Sequence, residues 1–171
     1  MEMHYFFMNK KLTLDMPICK PIEIKKHIKL NRQILALDLG SKRIGIAISN
    51  GSALIPTPLT TIKRKKFESD VNQLIKIIKE NKVMALVIGL PLNMNGTEGR
   101  RCQSTRDFAK ELLKKINIDL IFWDERLTTK SANDILSKST LSREKKQLAI
   151  DKIAASLILE NALEFIKNNN D

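Results

Sequence analysis

The feature that most constrains the fold is a pair of short, almost wholly apolar runs that each end at a glycine. The run Ile34–Leu39 is interrupted only by Asp38 and is followed by Gly40, and the run Met84–Ile88 is followed by Gly89. Strands that are apolar on both faces occur in sheets covered by helices on both sides. The two runs therefore predict buried strands of an α/β sheet.

Three further strands follow from composition and alternation. Ile44, Ile46 and Ile48 alternate with small residues, which is the period of a strand. The segment 54–62 carries two prolines, which predicts a strand at a sheet edge. The segment 118–124 predicts the fifth strand.

Helices are expected between and after the later strands. Apolar residues at helical spacing predict helices around 71–78 and 109–116, a short helix is expected over 128–137, and a longer one runs from Ser142, as its N-cap, to about Ile166. Three strands followed by alternating helices and strands form an α/β order. We predict a five-stranded mixed sheet, with an antiparallel three-strand meander and two strands parallel to the first, flanked by helices.

The N-terminal residues 1–32 differ from the rest of the chain. Their apolar cluster at 5–8 is too short for a signal-peptide core, and scattered lysines, Pro17 and Pro21 follow it. We predict a poorly ordered or accessory extension over 1–32 and one domain over 33–171. No apolar run approaches the ~18 residues of a membrane span, so no membrane partner is expected.

Cysteine and histidine are too scarce for several kinds of site. Two cysteines cannot build a disulfide framework, which indicates a reducing cytoplasm. Two cysteines and two histidines also exclude a four-cysteine zinc site and a histidine-rich metal centre. Any bound metal must therefore be held mainly by oxygen atoms.

The chain is strongly basic. Its 30 lysines and arginines against 19 acidic residues give a formal net charge of +11. Such a surface attracts a polyanion such as nucleic acid. The alternative is that the lysines only solvate the surface.

Three acidic residues occupy unusual positions. Asp38 lies at the end of a buried strand, on the face of Ile34 and Ala36, and Glu125 lies at the end of the fifth strand. Parallel strands bring both carboxylates to one edge of the sheet. Asp151 begins a stripe on the long helix that would bring it to the same edge; the other members of the stripe are Ala154, Ala155, Ile158 and Ala162.

Three converging carboxylates repel one another unless a cation joins them. Oxygen ligands select Mg²⁺ or Mn²⁺, which can activate a water and stabilise the leaving oxygen of a phosphodiester. Other interpretations are open for each acid. Asp38 can be a turn residue, Glu125 can pair with Arg126, and Asp151 can lie on a solvated face.

Two glycine-containing loops add phosphate-binding character. The segment 40–45 places Lys42 and Arg43 directly after Asp38. The segment 93–99 precedes a helix that carries Arg100 and Arg101. Backbone amides and arginines there can hold a nucleic-acid backbone. An ordinary Asn-Gly turn and solvated arginines are the alternative. The basic run 63–66 is predicted to be a solvated turn, with contact to a nucleic-acid backbone as its alternative.

Taken together, four segments resemble the YqgF (RuvX) family in order and spacing, over roughly residues 33–166. They are Ala36–Gly45, Gly89–Thr97, Asp124–Thr129 and Asp151–Ala155. The resemblance implies an RNase H-like three-layer fold. It also implies an activity, because members of the family are described as Holliday junction resolvases and as nucleases that mature the 5′ end of pre-16S ribosomal RNA.

The resemblance also implies roles for individual residues. Asp38, Glu125 and Asp151 are implied to be the catalytic acids that bind Mg²⁺ or Mn²⁺. The surrounding polar, nucleic-acid-binding residues are Lys42, Arg43, Asn93, Thr97, Arg126 and the loop-associated Arg100 and Arg101. Related junction resolvases carry a fourth acid where this chain has Ala154, which leaves the number of bound ions open.

Our leading hypothesis is a metal-dependent endonuclease that acts on pre-16S ribosomal RNA, with branched DNA as the second substrate. The partner would be structured RNA or branched DNA, alone or within a pre-ribosomal particle, and either a monomer or a homodimer is compatible with the sequence. A non-catalytic nucleic-acid-binding module is a second hypothesis, against which the three acids argue. A third is an actin-like or sugar-kinase-like ATPase, but those enzymes clamp nucleotide between two such domains and this chain has room for one.

Overall fold

The computed structural model describes residues 18–50, 55–126, 132, 135 and 142–169. Five strands form one sheet in the order β3-β2-β1-β4-β5. The strands are β1 (Gln33–Leu39), β2 (Arg43–Ser49), β3 (Pro56–Lys63), β4 (Val83–Leu90) and β5 (Asp119–Asp124). A 3₁₀ turn (Pro21–Ile24) precedes the helices α1 (Lys25–Lys29), α2 (Phe67–Glu80), α3 (Arg100–Leu113) and α4 (Arg143–Asn168).

The strand directions confirm the predicted mixed sheet. β1, β2 and β3 pair antiparallel as a meander, whereas β4 is parallel to β1 and β5 is parallel to β4. Helical connections lead into β4 and β5, as a parallel pair requires. The carboxyl ends of β1, β4 and β5 therefore meet at one edge of the sheet.

Helices cover both faces of the sheet, which explains why the central strands are apolar throughout. Leu35 and Leu37 of β1 face a core cluster that includes residues of α2 and α3. Ile34 and Ala36 face the opposite cluster, to which α4 contributes. Each fully buried aliphatic side chain stabilises this arrangement by about 1.5–3 kcal/mol. Small residues at 155 and 162 let α4 lie close to the sheet.

Residues 18–32 pack against the free edge of β5. Ile18 forms a parallel bridge with Leu120, and the backbone N–H of Cys19 donates to the Leu120 carbonyl at 2.8 Å. His27 is buried and its Nε2 lies 2.7 Å from Oδ2 of Asp119. This part of the predicted extension is thus packed, while residues 1–17 lie outside the described residues. The division into an extension and a domain at residue 32 stays a prediction.

Two sequence expectations concern the C-terminal part of the chain, and a third concerns membrane spans. The predicted helix over 128–137 lies outside the described residues, except for Ala132 and Ile135, which are helical. Ser142 precedes α4 as predicted, but its side chain makes no capping hydrogen bond. In the described part of the chain, no helix is long and apolar enough to span a membrane.

Candidate active site

Two of the three predicted acids lie at the carboxyl edge of the sheet. Asp38 is the next-to-last residue of β1, and Glu125 directly follows β5. Asp38 is partly buried, and Glu125 is 9% exposed. The backbone N–H of Glu125 donates to the carbonyl of Leu90 at 3.2 Å, so Glu125 is held against the end of β4.

A glycine on β2 lets α4 bring the third acid to this edge. Gly45 is the register partner of Asp38. A Cβ atom at Gly45 would lie 2.0 Å from the backbone carbonyl oxygen of Asp151. Only a residue without a side chain permits this approach, since close-packed atoms cannot overlap. The Asp151 turn of α4 therefore lies directly on the strand beside Asp38.

A second glycine makes room for Glu125. A Cβ atom at Gly89 of β4 would lie 2.0 Å from Oε2 of Glu125 and 2.7 Å from Cδ1 of Ile158. The Glu125 carboxylate therefore occupies the space above Gly89, between β1 and β5 in the sheet order. These roles of Gly45 and Gly89 were not predicted from the sequence. The signal available was that each glycine lies within a strand of mostly apolar residues.

The carboxylates are close enough to repel one another. Burial raises the pKa of Asp38 to about 6, and the negative charge of Asp151 adds to the rise. Burial also raises the pKa of Glu125 to about 8, with a further contribution from Asp38. The Arg101 guanidinium lowers the pKa of both acids in part. Such a cluster favours a bound cation, which stabilises the charged forms.

The Asp151 carboxylate is bound by two side chains of the protein itself. Nε of Arg43 donates to Oδ2 of Asp151, and Nε2 of Gln147 donates to Oδ1 at 3.1 Å. Within the described ranges, no three acidic, histidine or cysteine side chains are grouped closely enough to hold one metal ion. The donor set nevertheless fits Mg²⁺ or Mn²⁺, because it consists of carboxylates that repel one another. To bind the ion, Asp151 would have to release its ion pair with Arg43.

An open cavity of about 530 Å³ lies beside Asp38 and Asp151. Its cationic lining residues are Lys42, Arg43, Arg64 and Arg101. Positive side chains around a pair of acids suit a phosphate ester, because they bind its charged oxygens and offset the repulsion by the acids. Of the predicted nucleic-acid-binding residues, Lys42, Arg43 and Arg101 thus lie at the cavity, whereas Arg100 is exposed at the start of α3 and does not line it.

The segment 40–45 is less of a loop than the sequence indicated. β2 begins at Arg43, so only residues 40–42 form the turn. A Cβ atom added at Gly40 would lie 2.8 Å from the carbonyl oxygen of Arg43. The predicted flexible phosphate loop is therefore a tight hairpin turn, and Arg43 is fixed by the strand.

Arg64 is a cavity residue that sequence reasoning missed. The run 63–66 was predicted to be a solvated turn, but Arg64 is 28% exposed. Its Nη1 donates to the Gly40 carbonyl at 2.9 Å, and its Nε lies 3.6 Å from Oδ2 of Asp70. Asp70 is itself 1% exposed. The signal available in the sequence was Asp70, an acid beside the apolar residues of α2 that could pair with a nearby arginine.

Three other predicted residues stabilise the loop between β4 and α3. Nδ2 of Asn93 donates to Oγ1 of Thr97 at 2.8 Å, and the Asn93 N–H donates to the Thr97 carbonyl at 2.9 Å. Arg126 donates from Nε to Oδ2 of Asp124 at 2.7 Å and from Nη1 to the Met94 carbonyl at 3.3 Å. In this structure Asn93, Thr97 and Arg126 hold the loop in place.

The position of the missing fourth acid is apolar and packed. Ala154 is fully buried in a small cluster with Ala132 and Ile150, apart from the cluster that α4 forms against the sheet. Ala154 therefore does not belong to the predicted stripe with Ala155, Ile158 and Ala162. The candidate site contains no fourth carboxylate on α4 at this position.

Comparison with known proteins gives a match to one family. A family model described as "RuvX: Holliday junction resolvase" matches residues 32–165. The chain belongs to this family. The matched range agrees with the resemblance over 33–166, and the sheet order with its antiparallel meander agrees with the RNase H-like fold of the RuvX family.

Curated relatives of this RuvX-family chain share one description, "Putative pre-16S rRNA nuclease". The relative from Ruegeria pomeroyi is 43% identical over 135 residues, which cover 79% of this chain and 88% of the relative. The relative from Roseobacter denitrificans is 46% identical over 80% and 85% of the two chains, and that from Bartonella tribocorum is 44% identical over 85% and 94%. Among solved structures, T. thermophilus RuvC in complex with a Holliday junction substrate aligns with a TM-score of 0.47 and 10% identity, over 79% of this chain and 96% of that chain.

Proposed function

We propose that the protein is a metal-dependent endonuclease that hydrolyses phosphodiester bonds in the 5′-end maturation of pre-16S ribosomal RNA. The observation that carries the proposal is that Asp38 interacts electrostatically with both Glu125 and Asp151, and that Asp38 and Asp151 line a cavity together with four cationic side chains. Family membership supports nucleic acid as the substrate class. The description of the relatives supports ribosomal RNA as the first substrate to test.

The three acids would hold Mg²⁺ or Mn²⁺. When bound, such an ion supplies an activated water and stabilises the leaving oxygen of the phosphodiester. Asp38 and Glu125 interact electrostatically, and their repulsion would favour taking up a cation. Asp151 would join them on release from Arg43.

The cationic side chains would bind and orient the substrate. Lys42 on the hairpin turn and Arg101 on α3 are exposed at the cavity, where they can pair with phosphates on either side of the cleaved bond. Arg64 is fixed by Gly40 and Asp70, so it offers a preorganised contact. Arg43, once exchanged, can bind the phosphate that arrives with the substrate.

Branched DNA is the second candidate substrate, because the family model is described as a Holliday junction resolvase. A non-catalytic binding module on the same fold is not favoured. Three acids next to a phosphate-binding surface weaken binding through repulsion, so they are expected only where they serve catalysis.

A cleavage assay tests the proposal. Wild type and Asp38→Asn are incubated with Mg²⁺ or Mn²⁺ and either a pre-16S 5′-leader fragment or a synthetic four-way DNA junction. We expect wild type to cut the RNA at a defined position, and Asp38→Asn to bind with similar affinity but cut at least ~10²-fold more slowly. Cutting of the junction alone would favour the DNA substrate. Full activity of Asp38→Asn would remove Asp38 from the mechanism.

A further inference from the structure

An exposed apolar side chain lies on the loop that Arg126 connects to the end of β5. Met94 is 71% exposed, more than any other large apolar side chain in the described part of the chain. It belongs to the loop that joins β4 to α3. Nη1 of Arg126 donates to the Met94 carbonyl at 3.3 Å, and Arg126 directly follows Glu125. The loop is thereby tied to the acid end of β5.

The loop presents Met94 at a fixed corner. The Gly96 N–H donates to the Asn93 carbonyl at 2.8 Å, so Met94 and Asn95 are the central residues of a β-turn. Gly96 has a positive φ of 81°, a conformation that favours glycine. Oδ1 of Asn95 accepts from the N–H of Thr97 at 3.1 Å and from its Oγ1 at 2.7 Å. The turn is therefore ordered by its own hydrogen bonds, while the Met94 side chain is directed to solvent.

The surroundings of Met94 favour a nucleic acid as its partner. Arg100 and Arg101 follow the loop at the start of α3, and both are exposed. Exposed positive charge that follows an apolar tip along the chain suits a strand whose phosphates are negative and whose bases have apolar faces. Methionine is flexible and polarisable and makes favourable contacts with aromatic rings. Methionine is also among the side chains that insert between base steps and unstack them.

We propose that Met94 is a wedge that inserts between two bases next to the cleaved phosphodiester and opens their stack. This inference rests on the proposed function, since it assumes that the strand to be cut passes Asp38 and Glu125. Met94 would determine specificity, because substrates whose bases are already unstacked at that position would need it less. It would take no part in the chemistry.

The test uses Asp38→Asn protein, which binds without cutting. The probe is a pre-16S leader fragment with 2-aminopurine next to the position that wild type cuts, and the fluorescence of 2-aminopurine rises when it unstacks. We expect Asp38→Asn to raise the fluorescence at saturation, and the added change Met94→Ala to remove at least half of that rise. Adding Met94→Leu instead should preserve it. Adding Met84→Ala is the matched control, because Met84 is 41% exposed at the opposite end of β4.

An unchanged rise with Met94→Ala, or no rise with any variant, would overturn the wedge. Saturation is checked separately by the anisotropy of a fluorescein-labelled copy of the same RNA. No binding in that measurement would overturn the proposed function on RNA, and the wedge with it. The two failures are thus distinguished by whether the RNA is bound.

Discussion

At the scale of single residues, the proposed site depends on which charged group is paired with each acid. Arg43 and Gln147 bind the two oxygens of Asp151, while Asp38 and Glu125 repel each other beside them. Arg43 therefore competes with any cation that Asp151 would help to hold. A phosphate that arrives at the cavity would offer Arg43 another partner, which would couple substrate binding to completion of the proposed metal site.

The variant Arg43→Gln tests this competition. Removing the guanidinium frees the Asp151 carboxylate, so we expect Mn²⁺ to bind several-fold more tightly while affinity for nucleic acid falls. Calorimetry or electron paramagnetic resonance of Mn²⁺ without substrate gives the first quantity, and anisotropy gives the second. Lys42→Gln is the control, because Lys42 lines the same cavity but forms no ion pair with Asp151. Equal changes in Mn²⁺ affinity for both variants would indicate a general charge effect and reject the competition.

The acids could be proposed from the sequence because a carboxylate among buried apolar residues is unusual in itself. The other residues around the site could not be proposed in this way. Arg64 and Gln147 are ordinary polar residues in the sequence, and only the folded chain places them at the cavity. Asn93 and Arg126 were selected as substrate contacts and form hydrogen bonds within the protein, and their contact with a substrate stays a prediction.

At the scale of elements, two strand glycines determine how closely the third layer approaches the sheet. Gly45 contacts the backbone of α4, whereas Gly89 faces the end of the Glu125 side chain and Ile158. Backbone within a helix cannot shift without moving the whole helix, but a side-chain terminus can rotate. The two positions should therefore respond differently to the same added methyl group.

We expect Gly45→Ala to destabilise the fold more than Gly89→Ala, by about 3 kcal/mol against about 1 kcal/mol, as overpacking against rigid and movable neighbours implies. Gly89→Ala should instead reduce cleavage sharply, because the Cβ atom displaces the Glu125 carboxylate. Urea unfolding gives the free energies, and the leader-fragment assay gives the rates. Similar stability losses together with intact activity in Gly89→Ala would mean that Glu125 does not need the space above that glycine.

Periodicity predicted the elements well because each long strand or helix repeats its signal several times. All five strands and the helices α2, α3 and α4 were predicted, and the sheet directions followed from the order of the elements. The helix α1 was missed because five residues are too few for a helical pattern to appear. Its packing, and that of Ile18 on β5, depends on tertiary contacts that a local pattern does not contain.

At the scale of the whole molecule, the positive side chains behind the net charge of +11 lie at different distances from the acids. Arg101 lies at the carboxyl edge of the sheet, next to the acids. Lys79 lies at the end of α2 that leads into β4, and hence at the opposite edge. Both side chains are exposed, so their removal changes the total charge equally with little expected effect on the fold.

The salt dependence of binding separates a localised contact surface from general attraction. Each phosphate contact releases counterions, so the logarithm of the binding constant should fall linearly with the logarithm of salt concentration. We expect Arg101→Gln to reduce the magnitude of that slope by roughly 0.7–0.9, which corresponds to one phosphate contact, and Lys79→Gln to leave it unchanged. Anisotropy titrations of the leader fragment with the Asp38→Asn protein over a range of salt concentrations measure the slope.

A flat response would support the alternative that the lysines and arginines only solvate the surface. Equal reductions for both variants would mean that the nucleic acid is attracted by the whole molecule and not bound at the edge that carries the acids.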